Sequence, residues 1–203
     1  MTKEQEILAA AEEEFFRNGY DATSTAVIAR RAGVTHAMVN YYFRTKERLF
    51  IQILDNHVYE LLRGLKPVMR AEGDLVQVSV GAALVIFDSM NANRRLPYLI
   101  SDISRTHPDF LLRYSDTFDS VCRDSIRKHQ ERLDKCIAEG SVCDCTMKDI
   151  YNTVLALSTA PFLNIPLMEN VAGMTPERID DYLSERRGEM VRIITARYSA
   201  GIR

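Results

Sequence analysis

The chain has 203 residues, 46% of them hydrophobic and 27% charged, with a formal net charge of −2. That composition excludes a disordered chain and allows a core domain of about 150 residues plus a small module. The longest apolar run, Ala82 to Phe87, is too short to span a bilayer, and the acidic start MTKEQEILAAAEEEFF lacks the features of a secretory signal, so a cytoplasmic protein free of membrane is expected.

Apolar residues recur at helical spacing almost everywhere, so the chain reads as all-α with about nine helices. A first helix carries Leu8, Ala11 and Phe15 on one face and is predicted to stop at Gly19. Thr23 or Ser24 caps a second helix, TAVIARRA, which Gly33 ends, and Thr35 caps a third. Arg44 to Lys46 breaks the chain before a long fourth helix, with Leu49 and Ile53 on its apolar face, that runs to about Gly64. The stretch LVQVSVGAALVIF, Leu75 to Phe87, alternates Val76, Val78 and Val80 as a strand would. A lone strand cannot satisfy its own ladder, so it is read as a helix. Pro67, Gly73, Pro97, Pro108, Gly140, Pro161, Pro166 and Gly173 mark the later breaks. Thr175 and Pro176 read as the N-cap and first residue of a final helix.

The second and third helices, separated by Gly33-Val34, have the outline of a helix-turn-helix, two short helices set steeply by a tight turn. Ala29 and Ala32 are small where the helices cross, and Ile28, Val34 and Val39 supply the apolar contact between them. In this motif the second helix enters the major groove and its first residues reach base edges. The local charge agrees: Ile28 to Arg48 carries five basic residues, Arg30, Arg31, Arg44, Lys46 and Arg48, against Glu47 alone. Tyr41, Tyr42 and Phe43, taken by themselves, read as core or staple residues; it is their place after this motif that gives them another meaning.

The order Ile7 to Ala10, Phe16 to Tyr20 with Thr23 and Ser24, Ile28 to Thr35, Tyr41 to Phe43 and Lys46 to Leu49 resembles the DNA-binding domain of the tetracycline-repressor (TetR) family. The resemblance covers about 45 residues and implies two domains: 1–46, a helix-turn-helix DNA-binding domain, and 47–203, a helical effector-binding and dimerisation domain. It implies that Thr35 and His36 meet phosphate or base edges at the start of the recognition helix, and that Ala37 lies close to the DNA surface. Thr23 or Ser24, Tyr41, Tyr42 and Lys46 would hold the backbone, while Phe43 locks the small domain. Asn40 stands where an amide can pair with adenine through both its donor and its acceptor.

The same resemblance implies a homodimer on double-stranded operator DNA, with palindromic half-sites about 34 to 36 Å apart or a multiple of it, and a small-molecule effector that releases it, a repressor's behaviour. The dimer would form through helices near Met147 to Ala160 and Thr175 to Tyr198, with Leu155, Ile179, Leu183, Met190, Ile194 and Tyr198 as candidate interface residues. Phe87, Tyr98, His107, Phe110, Tyr114 and Phe118 are candidates to line an apolar effector pocket, with Tyr151 and Asn152 as polar partners. An alternative regulatory domain would sense metal or thiol chemistry through Cys136, Cys143 and Cys145. Their spacing matches no common zinc pattern and no His lies in the cluster, so ordinary reduced thiols are the preferred reading. No nucleophile–base pair, paired carboxylates or phosphate-cradling glycine loop supports an enzyme, and no metal or cofactor is expected.

Overall fold

The computed structural model describes residues 1–72, 74–140, 142 and 145–199, with 118–126 described in backbone only. Eleven helices are present among the described residues: α1 Lys3–Ala22, α2 Thr25–Arg31, α3 His36–Phe43, α4 Lys46–Arg70, α5 Leu75–Ala92, α6 Leu96–Thr106, α7 Asp109–Leu112, α8 Ser115–Ala138, α9 Met147–Leu163, α10 Ile165–Asn170 and α11 Pro176–Tyr198. Nine of them have seven residues or more; the short α7 follows Pro108, and the short α10 carries Pro166 in its first turn.

Two compact units result, one made of Met1–Glu60 with Arg95–Arg113, the other of Leu61–Arg94 with Tyr114–Arg203. The boundary expected at residues 46 and 47 therefore falls inside the first unit. The cause is burial: the first turns of α4 place Leu49, Phe50, Ile53 and Leu54 in that unit's core, and α6 returns to pack on α1.

In the first unit, α1 starts with a capping box in which Thr2 Oγ1 accepts from Gln5 N–H and Gln5 Oε1 accepts from Thr2 N–H. Ile7, Ala10, Ala11 and Phe15 recur on its buried face. Helical geometry breaks at Gly19, whose φ of 79° only glycine adopts cheaply, and a further turn then runs to Ala22. That break sets Tyr20 among aromatics, with ring centroids 4.8 Å from Phe50, 5.0 Å from His107 and 4.9 Å from Phe110. His107 also meets Asp21 Oδ1 through Nε2 at 2.8 Å. The end of α6 and the start of α7 are thereby fastened to the end of α1.

In the second unit α5 is central, packed by α9, α11 and α8. It is a helix rather than a strand, since it is buried on more than one side: Leu75, Val76, Val78, Ser79, Ala82, Ala83, Phe87 and Met90 are all inside. By length and composition α5 is apolar enough to cross a membrane, but its burial against those neighbours is that of a core helix. Gly64 and Gly81 let α4 and α5 approach: a Cβ on Gly64 would lie 2.9 Å from Val85 Cγ1, and one on Gly81 3.0 Å from Val68 Cγ1. Because of this packing α4 does not end near Gly64; it continues through Pro67 to Arg70 despite the lost backbone hydrogen bond. The rings of Phe87 and Phe162 lie tilted with centroids 4.9 Å apart, and Ser158 Oγ, 2.5 Å from Val154 O and 3.2 Å from Ala83 O, shares its one O–H between them, tying α9 to α5.

Candidate nucleic-acid interface

Each piece of the helix-turn-helix is held by a local device. Ser24, not Thr23, is the N-cap of α2, its Oγ accepting from Val27 N–H at 3.3 Å. Thr23 is buried at 2% exposure, and its hydroxyl reaches Gly19 O at 2.7 Å and Glu14 O at 3.2 Å. The expectation that Thr23 faces the DNA backbone is therefore corrected: it closes the end of α1. α2 ends in a Schellman motif, with Gly33 N–H on Arg30 O at 3.3 Å and Val34 N–H on Ala29 O at 3.0 Å, and Gly33 takes the left-handed φ of 63° that this motif requires. Thr35 then caps α3, its Oγ1 accepting from Met38 N–H at 3.3 Å.

α3 divides cleanly into faces. Val39 and Phe43 are buried at 1% and 4%, which makes them the anchor of the small domain as expected of Phe43. His36, Ala37, Asn40 and Tyr41 are exposed and share the opposite face at spacings of three and four residues, with Thr35 exposed at its head. Tyr41 is 75% exposed and Tyr42 39%, their rings edge to face at 5.2 Å. His36 is the hinge of a polar chain across both helices, its Nε2 lying 2.8 Å from Thr25 Oγ1 on α2 and its Nδ1 3.5 Å from Asn40 Nδ2. The amide can only donate to Nδ1, so Nε2 carries the proton and donates to Thr25 in this arrangement, which leaves the Asn40 amide oxygen and its second N–H open.

The helix ends in strain. Arg44 has φ 66° and ψ −52°, and Thr45 N–H meets Phe43 O at 2.7 Å, which together make a γ-turn of the rare positive-φ kind. Thr45 follows at once as the cap of α4, accepting from Arg48 N–H at 3.1 Å. Thr25 is not singled out by the sequence, and Arg44 only as a basic residue at a break. Thr25 carried no signal beyond standing after a cap, and a positive φ at an arginine has none.

The charges also sort themselves. Arg31 is turned inward: its Nε donates to the buried carboxylate of Glu14 and its Nη1 to Glu13 Oε2 at 2.6 Å, and these bonds raise its pKa above the ordinary arginine value. Glu12 meets His57 Nε2 at 2.7 Å. The acidic run of α1 is thus matched inside the unit. Lys46 is committed as well, its Nζ 3.1 Å from Tyr20 O and 4.2 Å over the Tyr20 ring. The phosphate contact expected of Lys46 would use the ammonium N–H groups that this bond leaves over. Arg30, Arg44 and Arg48 are exposed and have no side-chain partner among the described residues.

The other candidate residues are scattered. His107 and Phe110 belong to the aromatic cluster of the first unit, stacked at 5.1 Å, and Tyr98 lies on α6 of that unit. Phe87, Tyr114, Tyr151 and Asn152 belong to the second unit, where Phe87 and Tyr114 are core residues and Tyr151 and Asn152 are exposed. The set is divided between the two units. The Phe118 side chain lies outside the described residues. Ile179, Leu183, Met190, Ile194 and Tyr198 are at most 2% exposed within the protomer itself, on the face of α11 that packs on α5 and α9. Their assignment to a dimer interface is corrected too: helical spacing reveals a covered face, not what covers it. Leu155 alone of that set is exposed, at 40%. Cys136 and Cys145 are half-buried, Cys143 lies outside the described residues, and among the described residues no three metal-ligating side chains gather.

Comparison with known proteins places this geometry. The family model for bacterial regulatory proteins of the tetR family matches residues 7–53. The HTH-type transcriptional activator FasR of Mycolicibacterium smegmatis is 34% identical over 83 residues, 41% of this chain and 38% of FasR. The HTH-type transcriptional regulator QacR of Staphylococcus aureus is 40% identical over 55 residues, 27% of this chain and 29% of QacR. The chain therefore spans less than two-fifths of the length of these curated relatives. The fold is shared along nearly the whole chain with SCO4942 of Streptomyces coelicolor, at TM-score 0.69 and 19% identity over 98% of this chain and 100% of that one. Salmonella enterica GusR shares it at TM-score 0.60 and 19% identity, over 96% and 94%. Residues 7–53, which hold the helix-turn-helix, thus match the DNA-binding region of the tetR family of bacterial regulatory proteins, and the helical architecture of the chain as a whole is a fold shared with these solved structures.

Proposed function

We infer that this protein is a cytoplasmic transcriptional regulator, not an enzyme, that binds a palindromic operator as a homodimer, represses the gene beside it and is released by a small-molecule effector. The observation that carries the reading is the exposed polar face of α3, His36, Ala37, Asn40 and Tyr41, standing on a helix whose opposite face is buried by Val39 and Phe43. A helix so anchored projects base-reading groups from a fixed platform. Ser24 and Thr35, at the starts of α2 and α3, Tyr42 and the remaining N–H groups of Lys46 contact phosphate, and Arg30, Arg44 and Arg48 supply the free charge.

Homodimerisation rests on the apolar residues that the protomer leaves uncovered. Tyr151, Leu155 and Leu163 of α9 are 44%, 40% and 43% exposed, and Ile193 of α11 is 37% exposed. Ile193 shares its face with Tyr182 and Arg186, and Arg186 Nε is buried with no acceptor, an atom that a second subunit would satisfy. The 47–203 region carries the effector response.

The test is selection of bound DNA from a random pool by the purified protein, followed by a reporter placed behind the selected site. A palindrome is expected, with affinity that falls steeply with salt. Asn40→Ala should relax discrimination at one base pair by about 1–3 kcal/mol while leaving the others intact. Recovery of no common sequence would remove the reading. A reporter silenced by the protein supports repression; one that requires it would align this chain with FasR, which is named an activator.

A further inference from the structure

A second polar feature lies in the core of the second unit, far in sequence from the helix-turn-helix. His129 on α8 is 1% exposed. One ring nitrogen, Nε2, lies 3.1 Å from Met69 O, in the last turn of α4. The other, Nδ1, is buried and has no hydrogen-bond partner. A carbonyl oxygen only accepts, so Nε2 bears the proton and Nδ1 presents a lone pair to the interior. A buried acceptor without a donor costs about 1–3 kcal/mol, and native interiors hold few of them.

The ring is also kept from solving the problem by protonation. Burial holds the imidazole below the usual histidine range, and the charges of Arg132 and Lys128 act in the same direction, while the bond to Met69 opposes them. A neutral acceptor in that setting calls for a neutral donor. An anion offers no proton to it, and a cation is disfavoured beside Arg132 and Lys128. Leu133, one turn further along α8, is fully buried, so this stretch of α8 lies in an apolar core and an apolar body suits it.

We propose that His129 is the polar anchor of a ligand site in the second unit, which takes a neutral, largely apolar molecule bearing one hydroxyl or N–H donor directed at Nδ1. The proposal rests on the effector reading above and gives that effector a chemical class. It also supplies a route for the signal. A donor on Nδ1 polarises the ring and strengthens the Nε2–H bond to Met69, so the ligand tightens the end of α4. α4 is the helix whose first turn follows directly on the recognition helix α3.

The full chain can be tested with probe pairs in which an alcohol or phenol is set against an ether of similar size that lacks the donor: phenol against anisole, and 1-decanol against methyl nonyl ether. Calorimetry should show the hydroxyl compound of at least one pair binding about tenfold more tightly than its ether. In His129→Phe, which keeps the ring's bulk without the lone pair, that preference should shrink to about twofold or less. The ¹⁵N resonance of His129 Nδ1 in the unaltered protein should shift on saturation with the preferred probe, a readout that stands even where the variant fails to fold. Equal binding of alcohol and ether, a preference that survives in His129→Phe, no binding of any probe, or an unmoved Nδ1 resonance would overturn the proposal and leave a structural water as the partner. Operator binding is measured with the same probes. Compounds that move Nδ1 without altering DNA affinity would keep the site and remove the effector role; release of DNA by another compound with Nδ1 unmoved would keep the effector role and remove the site.

Discussion

The Thr25 hydroxyl on α2 and His36 Nε2 on α3 lie 2.8 Å apart, so the two helices of the helix-turn-helix are joined by side chains at their exposed ends. The pair adds to the Schellman turn a second constraint on how α3 stands out from the domain. Thr25→Val keeps the shape and removes the bond. Because the pair is exposed, stability should change by at most about 0.5 kcal/mol. Operator affinity should fall about three- to tenfold, since His36 and, through it, Asn40 lose their fixed orientation. Equal affinity in a mobility-shift titration would show that DNA alone orders these side chains.

Arg30 and Arg31 are neighbours in sequence with opposite fates. Arg31 holds the buried carboxylate of Glu14, whereas Arg30 is exposed. Arg31→Met should lower the melting temperature clearly more than Arg30→Met, because it strands a buried acid. Operator affinity should follow the reverse order once measured below both melting points, with Arg30→Met also flattening the salt slope by about one unit. Equal melting temperatures would mean that Glu14 finds another partner.

Arg44 keeps a positive φ that costs a non-glycine residue about 1–2 kcal/mol. Arg44→Gly relieves it, less the glycine entropy of about 0.5–1 kcal/mol. The net expectation is a protein stabilised by up to about 1 kcal/mol in denaturant melts that binds its operator more weakly. Arg44→Lys should retain both the strain and most of the binding. A destabilised glycine variant would show that the arginine side chain contributes packing.

His129 makes stability depend on pH. Its folded-state pKa is lowered, chiefly by burial, so the unfolded chain takes up a proton more readily than the folded one. Its contribution is therefore complete above the unfolded value of about 6.5 and is lost as pH falls through the lower folded value. Urea melts between pH 7.5 and roughly 5 should show stability declining with acid, and His129→Phe should flatten that part of the curve. An unchanged slope would place the acid sensitivity elsewhere.

Leu155 and Ile194 separate the subunit contact from the protomer's own core. Leu155 is 40% exposed and Ile194 is 0% exposed. Leu155→Glu together with Ile193→Glu should yield a folded monomer by light scattering that has lost operator affinity. Ile194→Glu should instead unfold the second unit, since it buries a charge without a partner. A stable dimer after the first pair of changes would move the interface to another face.

Local chemistry was legible in the sequence because its causes are local. Thr35 and Thr175 as caps, Ser24 as one of two alternatives for the cap of α2, Gly33 as the turn, Val39 and Phe43 as the inner face of α3, and the helical spacing along the chain all depend on residues a few positions apart. The helix-turn-helix follows from them, as does its resemblance to the tetR family's DNA-binding domain. What only the tertiary structure decided involves partners distant in the chain: Lys46 on Tyr20, 26 residues away; Arg31 on Glu14, 17 away; His107 on Asp21, 86 away; and His129 on Met69, 60 away. In the sequence a polar side chain such as Lys46 or His107 looks free until its partner is found. The stripe of Ile179 to Tyr198 on α11 failed as an interface for the same reason. An apolar periodicity states that a face must be covered, and the free energy is equally served by α5 and α9 of the same chain or by a second subunit; only the packing of the whole unit distinguishes them.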